Sequence, residues 1–554
     1  MAVLALAGCG GGGGGPPASS PAPTIKSENG AGGGAVNSIP TTGGVSDVLP
    51  SCTGCGAVSK NQYSGVGIGI WNASNMGTAA QDVAVSIGNL ALKDVTLILT
   101  NVTSADVALS PINMSVMNAD PMSPLAPQFT EIGAAKAGAI DNAAISEFNR
   151  IGWSQIPAPI MNSRLARSMI IPAPVMSIIG DARVFNYADG TARHTTLKNQ
   201  VTLSDGATVN VWVEDSEFAA GKITPELVTQ LGDSYSKTGG VYDMLKGVGG
   251  AMWGAHTRPE LIDGAVNVFD VVLLNFVNDS SPYGMVGYFH ALNNMKKTTA
   301  ATSNESLSIY LDTETVYLGG TRGVKVIQSA LAHESMHMSN FYRRSVLMGP
   351  TYAYSTWLEE MTAMIMEDAA SFALDATYNA SRDGRVPSYL SSGSFNCALQ
   401  DFGGASAECN GSGYSVSGSF GAYLLRQNGI PFFKNLLTQN VTSSEAALQA
   451  AIKSTKPASS IGTEMAKFAT STIPLMSSSA APAGFSFPQL TSSNFDIPVI
   501  DIKGRGMARK LPTTAPTVLK AYGNFPIVRK SIVGVFNETV RLPAGTTLSV
   551  VIGN

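Results

Sequence analysis

Apolar positions along this chain follow two periods, and the switches between them outline its organisation. Between Cys52 and about Pro124, apolar runs at residues 66–71, 83–87 and 95–100 are punctuated by Asn and Gly. They predict separate strands of a small β-sandwich. Residues 134–150 carry helical spacing and predict an amphipathic helix. Residues 201–209 read as a hairpin turning at Asp205-Gly206, with its second strand extended through Asp215. Residues 224–235 read as a helix: Thr224 suits the N-cap and Pro225 the first helical position, where its missing N–H costs nothing. Apolar runs at 268–276 and 308–311 predict further strands. From Val324 to about Ala480 the period is mainly helical. Strands return from Phe495, most clearly at 497–502 and 547–551.

Composition adds a setting. A chain of 554 residues exceeds one ordinary core, and 13% charged residues with 58 glycines fit an extracytoplasmic, β-rich protein. The net charge of -4 is spread without a basic block, which argues against a nucleic-acid partner. No run of about 20 apolar residues marks a membrane span. Residues 10–45 are mostly Gly, Pro, Ser, Ala and Thr and predict a flexible tether. Before it, Leu6-Ala7-Gly8-Cys9 closes a short apolar start and resembles a bacterial lipobox. That resemblance implies a lipid on Cys9. Gly10, rather than Asp, after the cysteine is similar to lipoproteins sent to an outer membrane, so the expected location is that membrane or the cell surface. With Cys9 set aside, Cys52 with Cys55 and Cys397 with Cys409 form two expected disulfides.

The candidate chemistry lies in Leu331-Ala332-His333-Glu334-Ser335-Met336-His337, which contains H-E-x-x-H. On a helix, residues four apart share a face, so His333 and His337 can hold one metal through ring nitrogens, with Glu334 beside it as general base. Histidine is rare here, five in the whole chain, which makes the motif specific. Zinc suits two imidazoles and a carboxylate, with a fourth position open; there it would acidify a water and polarise a carbonyl. No histidine follows His337, which excludes a downstream histidine as the third ligand, and the next acidic cluster, Glu359 and Glu360, opens the next helix. Thr356 and Glu359 have capping-box spacing, which gives Glu359 a structural role and leaves Glu360 free to face the metal. Glu367 and Asp368, two turns on, are candidates to accept the other N–H of a metal-bound histidine.

Residues 357–363 resemble the W-L-N-E-G-x-A stretch of gluzincin peptidases, which implies Glu360 as the ligand, with Glu359 in place of Asn and Met361 in place of Gly. The chain as a whole is similar to the hyicolysin family of secreted neutral metallopeptidases, over roughly residues 209–437. The features carrying that resemblance are residues 211–215, Gly287-Tyr288-Phe289, Tyr310-Leu311-Asp312, the histidine helix and the acidic helix at Glu360. Tyr414-Ser415-Val416-Ser417-Gly418 has the spacing of the H-x-x-S-G stretch in thermolysin-like gluzincins, which nominates Tyr414 to stabilise the oxyanion. His290 and Tyr288 are rivals for that role. His194 and His256 read as structural or exposed.

The expected fold is therefore α+β: a zincin-like catalytic lobe with a mainly helical C-terminal half, flanked by small β-rich domains. Expected boundaries are 1–9 lipoprotein signal, 10–45 tether, 46–125 β-rich accessory domain, 126–485 metallopeptidase domain and 486–554 β-rich C-terminal domain. The expected function is zinc-dependent endopeptidase action on extracellular or periplasmic proteins. The alternative is a lipid-anchored surface adhesin that uses the same scaffold for binding.

Overall fold

The computed structural model describes residues 46–114, 142–157, 177–403, 409–492 and 495–553. The lipobox, the tether and residues 134–141 of the expected helix lie outside the described residues. The principal strands are β1 (Gly69–Asn75), β2 (Gln81–Asn101), β3 (Ala182–Asn186), β4 (Ala192–Thr202), β5 (Thr208–Glu214), β6 (Val268–Leu274), β7 (Gly287–Phe289), β8 (Leu307–Asp312), β9 (Asn524–Leu542) and β10 (Thr546–Ile552). The helices around the site are α1 (Asn142–Arg150), α2 (Pro225–Ser236), α3 (Gly320–Asn340), α4 (Thr356–Leu374) and α5 (Gly413–Thr438). The chain is thus of mixed α and β structure.

Strands β3 to β8 form one six-stranded sheet in the order β7-β8-β6-β5-β4-β3. Strands β5, β6 and β8 run parallel, while β7 pairs antiparallel to β8 and forms an edge. Along β5, Val209, Val211 and Val213 enter the main core under the helices, and Trp212 enters a smaller cluster on the opposite face. Alternation of side chains across a strand, with both faces covered, explains this nearly unbroken apolar run. The β4–β5 hairpin turns as expected, with Gly206 at φ 84°. Thr224 caps α2 by accepting from the Leu227 N–H, with Pro225 in the first turn.

Helix α3 carries the H-E-x-x-H motif. Its start is pressed onto the preceding turn: a Cβ at Gly323 would lie 1.9 Å from the Thr315 carbonyl oxygen, so only glycine permits the approach. Val326, Ile327, Ala330 and Leu331 bury one face of α3, and α3 packs beside α4.

The terminal strands differ from the sequence expectation. The runs at 83–87 and 95–100 belong to one strand, β2, which bends through Asn89 (φ 69°) and Leu92 (φ 53°). Its partner β9 is nearly as long and carries register shifts between Arg529 and Phe536, so the ladder continues past the bend. Strand β10 lies between β1 and β2 and pairs antiparallel to both. The segments read as two separate β-rich regions, near either end, thus share one sheet. Only Phe495–Ile497 of the region around 497–502 is a strand. Pro498 follows it and has no N–H to continue a ladder. The disulfides Cys52–Cys55 and Cys397–Cys409 are both formed. Among the described residues no helix is long and apolar enough to cross a membrane.

Candidate metal centre

One helical turn separates His333 from His337, and their rings meet edge to face at 4.9 Å. Helix α4 brings Glu360 against both. Its Oε2 lies 3.2 Å from His333 Nε2 and 3.8 Å from His337 Nε2. One donor atom from each of the three residues falls within 4.8 Å of the others. Glu360 Oε2 is buried yet has no aligned hydrogen bond. The opposite ring nitrogens face carboxylates: Glu359 Oε1 is 2.9 Å from His337 Nδ1, and Glu367 Oε2 is 3.5 Å from His333 Nδ1. That pairing favours a proton on each Nδ1 and leaves each Nε2, on the side of Glu360, as the atom that would bind a metal on losing its proton.

Glu359 is where the sequence expectation fails. Helix α4 begins after Ser355, with no side-chain cap, so the Thr356–Glu359 capping box does not form. The Glu359 carboxylate instead accepts from His337 and from Asn340 Nδ2, at 3.1 Å. A capping box satisfies only backbone; here an imidazole and an amide from the neighbouring helix compete for the same carboxylate and win. Of the two candidates further along, Glu367 faces His333, whereas Asp368 is turned to Arg426.

The electrostatics of the cluster are dominated by negative charge. Glu334, Glu359, Glu360 and Glu367 surround two imidazoles, and Arg385 balances one of them through a 2.9 Å ion pair with Glu367. Burial works against the Glu367 carboxylate, but Arg385 and His333 hold it down to about 2. Burial likewise opposes charge on His333, yet Glu360 and Glu367 raise it to about 10. Burial pushes Glu334 upward. The edge strand fixes Glu334 in place: a Cβ at Gly287 would lie 3.0 Å from its Cγ and 3.1 Å from Oε1. Tyr414, in the first turn of α5, lines the same cleft. Burial and the nearby Glu360 and Glu334 raise its phenol well above the ordinary value, so it stays a donor.

The rivals for Tyr414 are held by other contacts. Tyr288 borders the cleft, but its ring stacks on Tyr310 at 4.6 Å within the cluster that also holds Ile145. His290 packs edge-on against Phe148 at 5.0 Å, and burial lowers it to about 4. His256 bonds the Ile262 carbonyl at 2.8 Å, and His194 is exposed on β4. Sequence reasoning missed Arg385 and gave Gly287 and α1 no role at this site. Arg385 gives no local signal, because it reaches Glu367 only through the packing of α4.

Two histidines and a glutamate on adjacent helices, with a second glutamate beside them, are the donor set of a metallopeptidase-type site. Residues 189–553 match the family described as Peptidase M30, and the chain belongs to that family of metallopeptidases. Residues 50–114 match a second family, described as a domain of unknown function (DUF8571). Among solved structures, the chain is similar to aminopeptidase A of Legionella pneumophila in complex with aspartic acid, at 9% identity and a TM-score of 0.27. That likeness covers 52% of this chain and 27% of that one. No curated protein matches the chain.

Because Glu359 orients His337, Glu359→Ala is expected to weaken metal affinity ~10–100-fold while the fold is kept. Competition with a zinc-chelating dye measures it. An unchanged affinity would mean that the 2.9 Å contact does not hold the ring.

Proposed function

We propose that this chain is a zinc endopeptidase that hydrolyses peptide bonds of extracellular or periplasmic proteins. The observation that carries the reading is the convergence of His333, His337 and Glu360 at one buried point. The residues present fit a divalent metal: an unbonded carboxylate oxygen and two imidazole nitrogens meet there, amid excess negative charge. Zinc suits this donor set, and when bound it would supply Lewis-acid activation of water and of the scissile carbonyl.

The protein groups then divide the work. Glu334 takes the proton from the attacking water on its carboxylate and delivers it to the leaving amine nitrogen. Burial, which raises Glu334, eases that proton's uptake and return. Tyr414 donates its hydroxyl hydrogen to the carbonyl oxygen as negative charge develops. Glu359 and Glu367 hold the two imidazoles in register. The lipobox resemblance at Cys9 supports a lipid-anchored setting, with the two disulfides suited to an oxidising compartment.

The test is hydrolysis of an unfolded protein such as casein, with metal content measured on the same sample. Activity that a chelator abolishes and zinc restores would sustain the proposal; metal-independent cleavage, or a folded protein that binds no zinc, would end it. Tyr414→Phe is expected to lower kcat ~10²–10³-fold with little change in KM, as for loss of one oxyanion donor. An unaltered kcat would remove Tyr414 from the mechanism.

A further inference from the structure

Helix α1 sits in the mouth of the metal cleft. Ile145, Ser146 and Asn149 line the same cavity as His333, Glu334 and Tyr414. The Asn149 side chain makes two bonds across it. Its Nδ2 donates to the Phe289 carbonyl at 2.8 Å, and its Oδ1 accepts from the Ala291 N–H at 2.7 Å. These backbone groups belong to β7 and the residues just after it, on an edge that, among the described residues, has a strand partner only on its β8 side.

A side-chain carboxamide presents one donor face and one acceptor face, the same pair that a peptide group offers. An extended peptide binding a sheet edge would use those groups. Asn149 therefore occupies backbone positions that a substrate chain would need. The space left between α1, β7 and the metal donors is about 90 Å³. Pockets that bury a drug-sized ligand measure ~300–1,000 Å³. The segment is also firmly seated: Trp153, just after α1, is fully buried against Phe341 at 5.2 Å, and Ile145 is buried in the cluster containing Tyr288. Yet α1 lies outside residues 189–553, the part that matches the peptidase family.

We infer that α1 is an internal blocker of the substrate cleft, with Asn149 standing in for a substrate peptide group, and that the chain is latent until α1 is displaced. This inference rests on the peptidase reading for the identity of what is excluded, but not for the exclusion itself.

The test compares the full, zinc-loaded chain with two variants that unseat α1. Asn149→Asp is isosteric and loses the donor to Phe289; the second variant combines Asn149→Ala with Ile145→Ser. Ala143→Ser, at an exposed position of α1, is the control. Two rates are read on samples shown to be folded: loss of zinc to a chelator, and cleavage of casein. Both are expected to rise about ten-fold or more in the unseated variants and to stay unchanged in the control, because the open fraction sets the apparent rate. Faster zinc loss with no cleavage by any of the proteins would uphold the blocker and overturn the peptidase reading. Zinc loss at the wild-type rate in both folded variants would overturn the blocker.

Discussion

Glu334→Gln is expected to keep its metal and lose ~10²–10⁴-fold in kcat. The side chain keeps its size but can no longer take a proton. The substitution is informative because Glu334 is not among the three converging donors. It sits beside them, 7% exposed, with the edge strand closed against it at Gly287. An amide of the same shape fits that slot, so the fold and the zinc content should be retained. Metal analysis and steady-state kinetics on one preparation check both halves. Retained activity would show that the proton goes elsewhere. Loss of zinc together with activity would show that Glu334 also helps to hold the ion, and the division of roles would have to change.

The second large effect concerns stability. Arg426 and Asp368 form an ion pair with both side chains fully buried. Arg426 also donates to the Pro498 carbonyl at 3.0 Å, and Asn379 Nδ2 donates to Asp368 Oδ1 at 2.8 Å. The pair thereby ties α4 and α5 to segments on either side of them. Arg426→Ala would leave a carboxylate buried with only a neutral partner, which costs ~3–5 kcal/mol. Urea unfolding should show that loss. Replacing both residues by apolar ones of similar size should cost less than the sum of the single changes, since no charge is then stranded. A cost within ~0.5 kcal/mol for Arg426→Ala would mean that the carboxylate takes up a proton or water at little expense.

The sequence alone determined the local chemistry. The spacing of His333, Glu334 and His337 fixes their shared side because a helix has one pitch, and no tertiary contact can alter that register. The Thr224 cap, the turn at Gly206 and the two cysteine pairings were likewise legible, since each depends on neighbours close in the chain. Tertiary structure decided everything that required choosing between partners. Local spacing assigned Glu359 to its own helix end; packing of α4 on α3 gave it to His337 instead. Glu367 and Asp368 are adjacent and alike in sequence, yet one turns to His333 and the other to Arg426, because they leave the helix 100° apart, towards different neighbours. The terminal strands each read as local β structure, but β10 completes its sheet with β1 and β2, more than 400 residues earlier. The seating of α1 over the cleft had no sequence signal, because its Asn149 is satisfied by backbone carbonyl and amide groups, which every residue type presents alike.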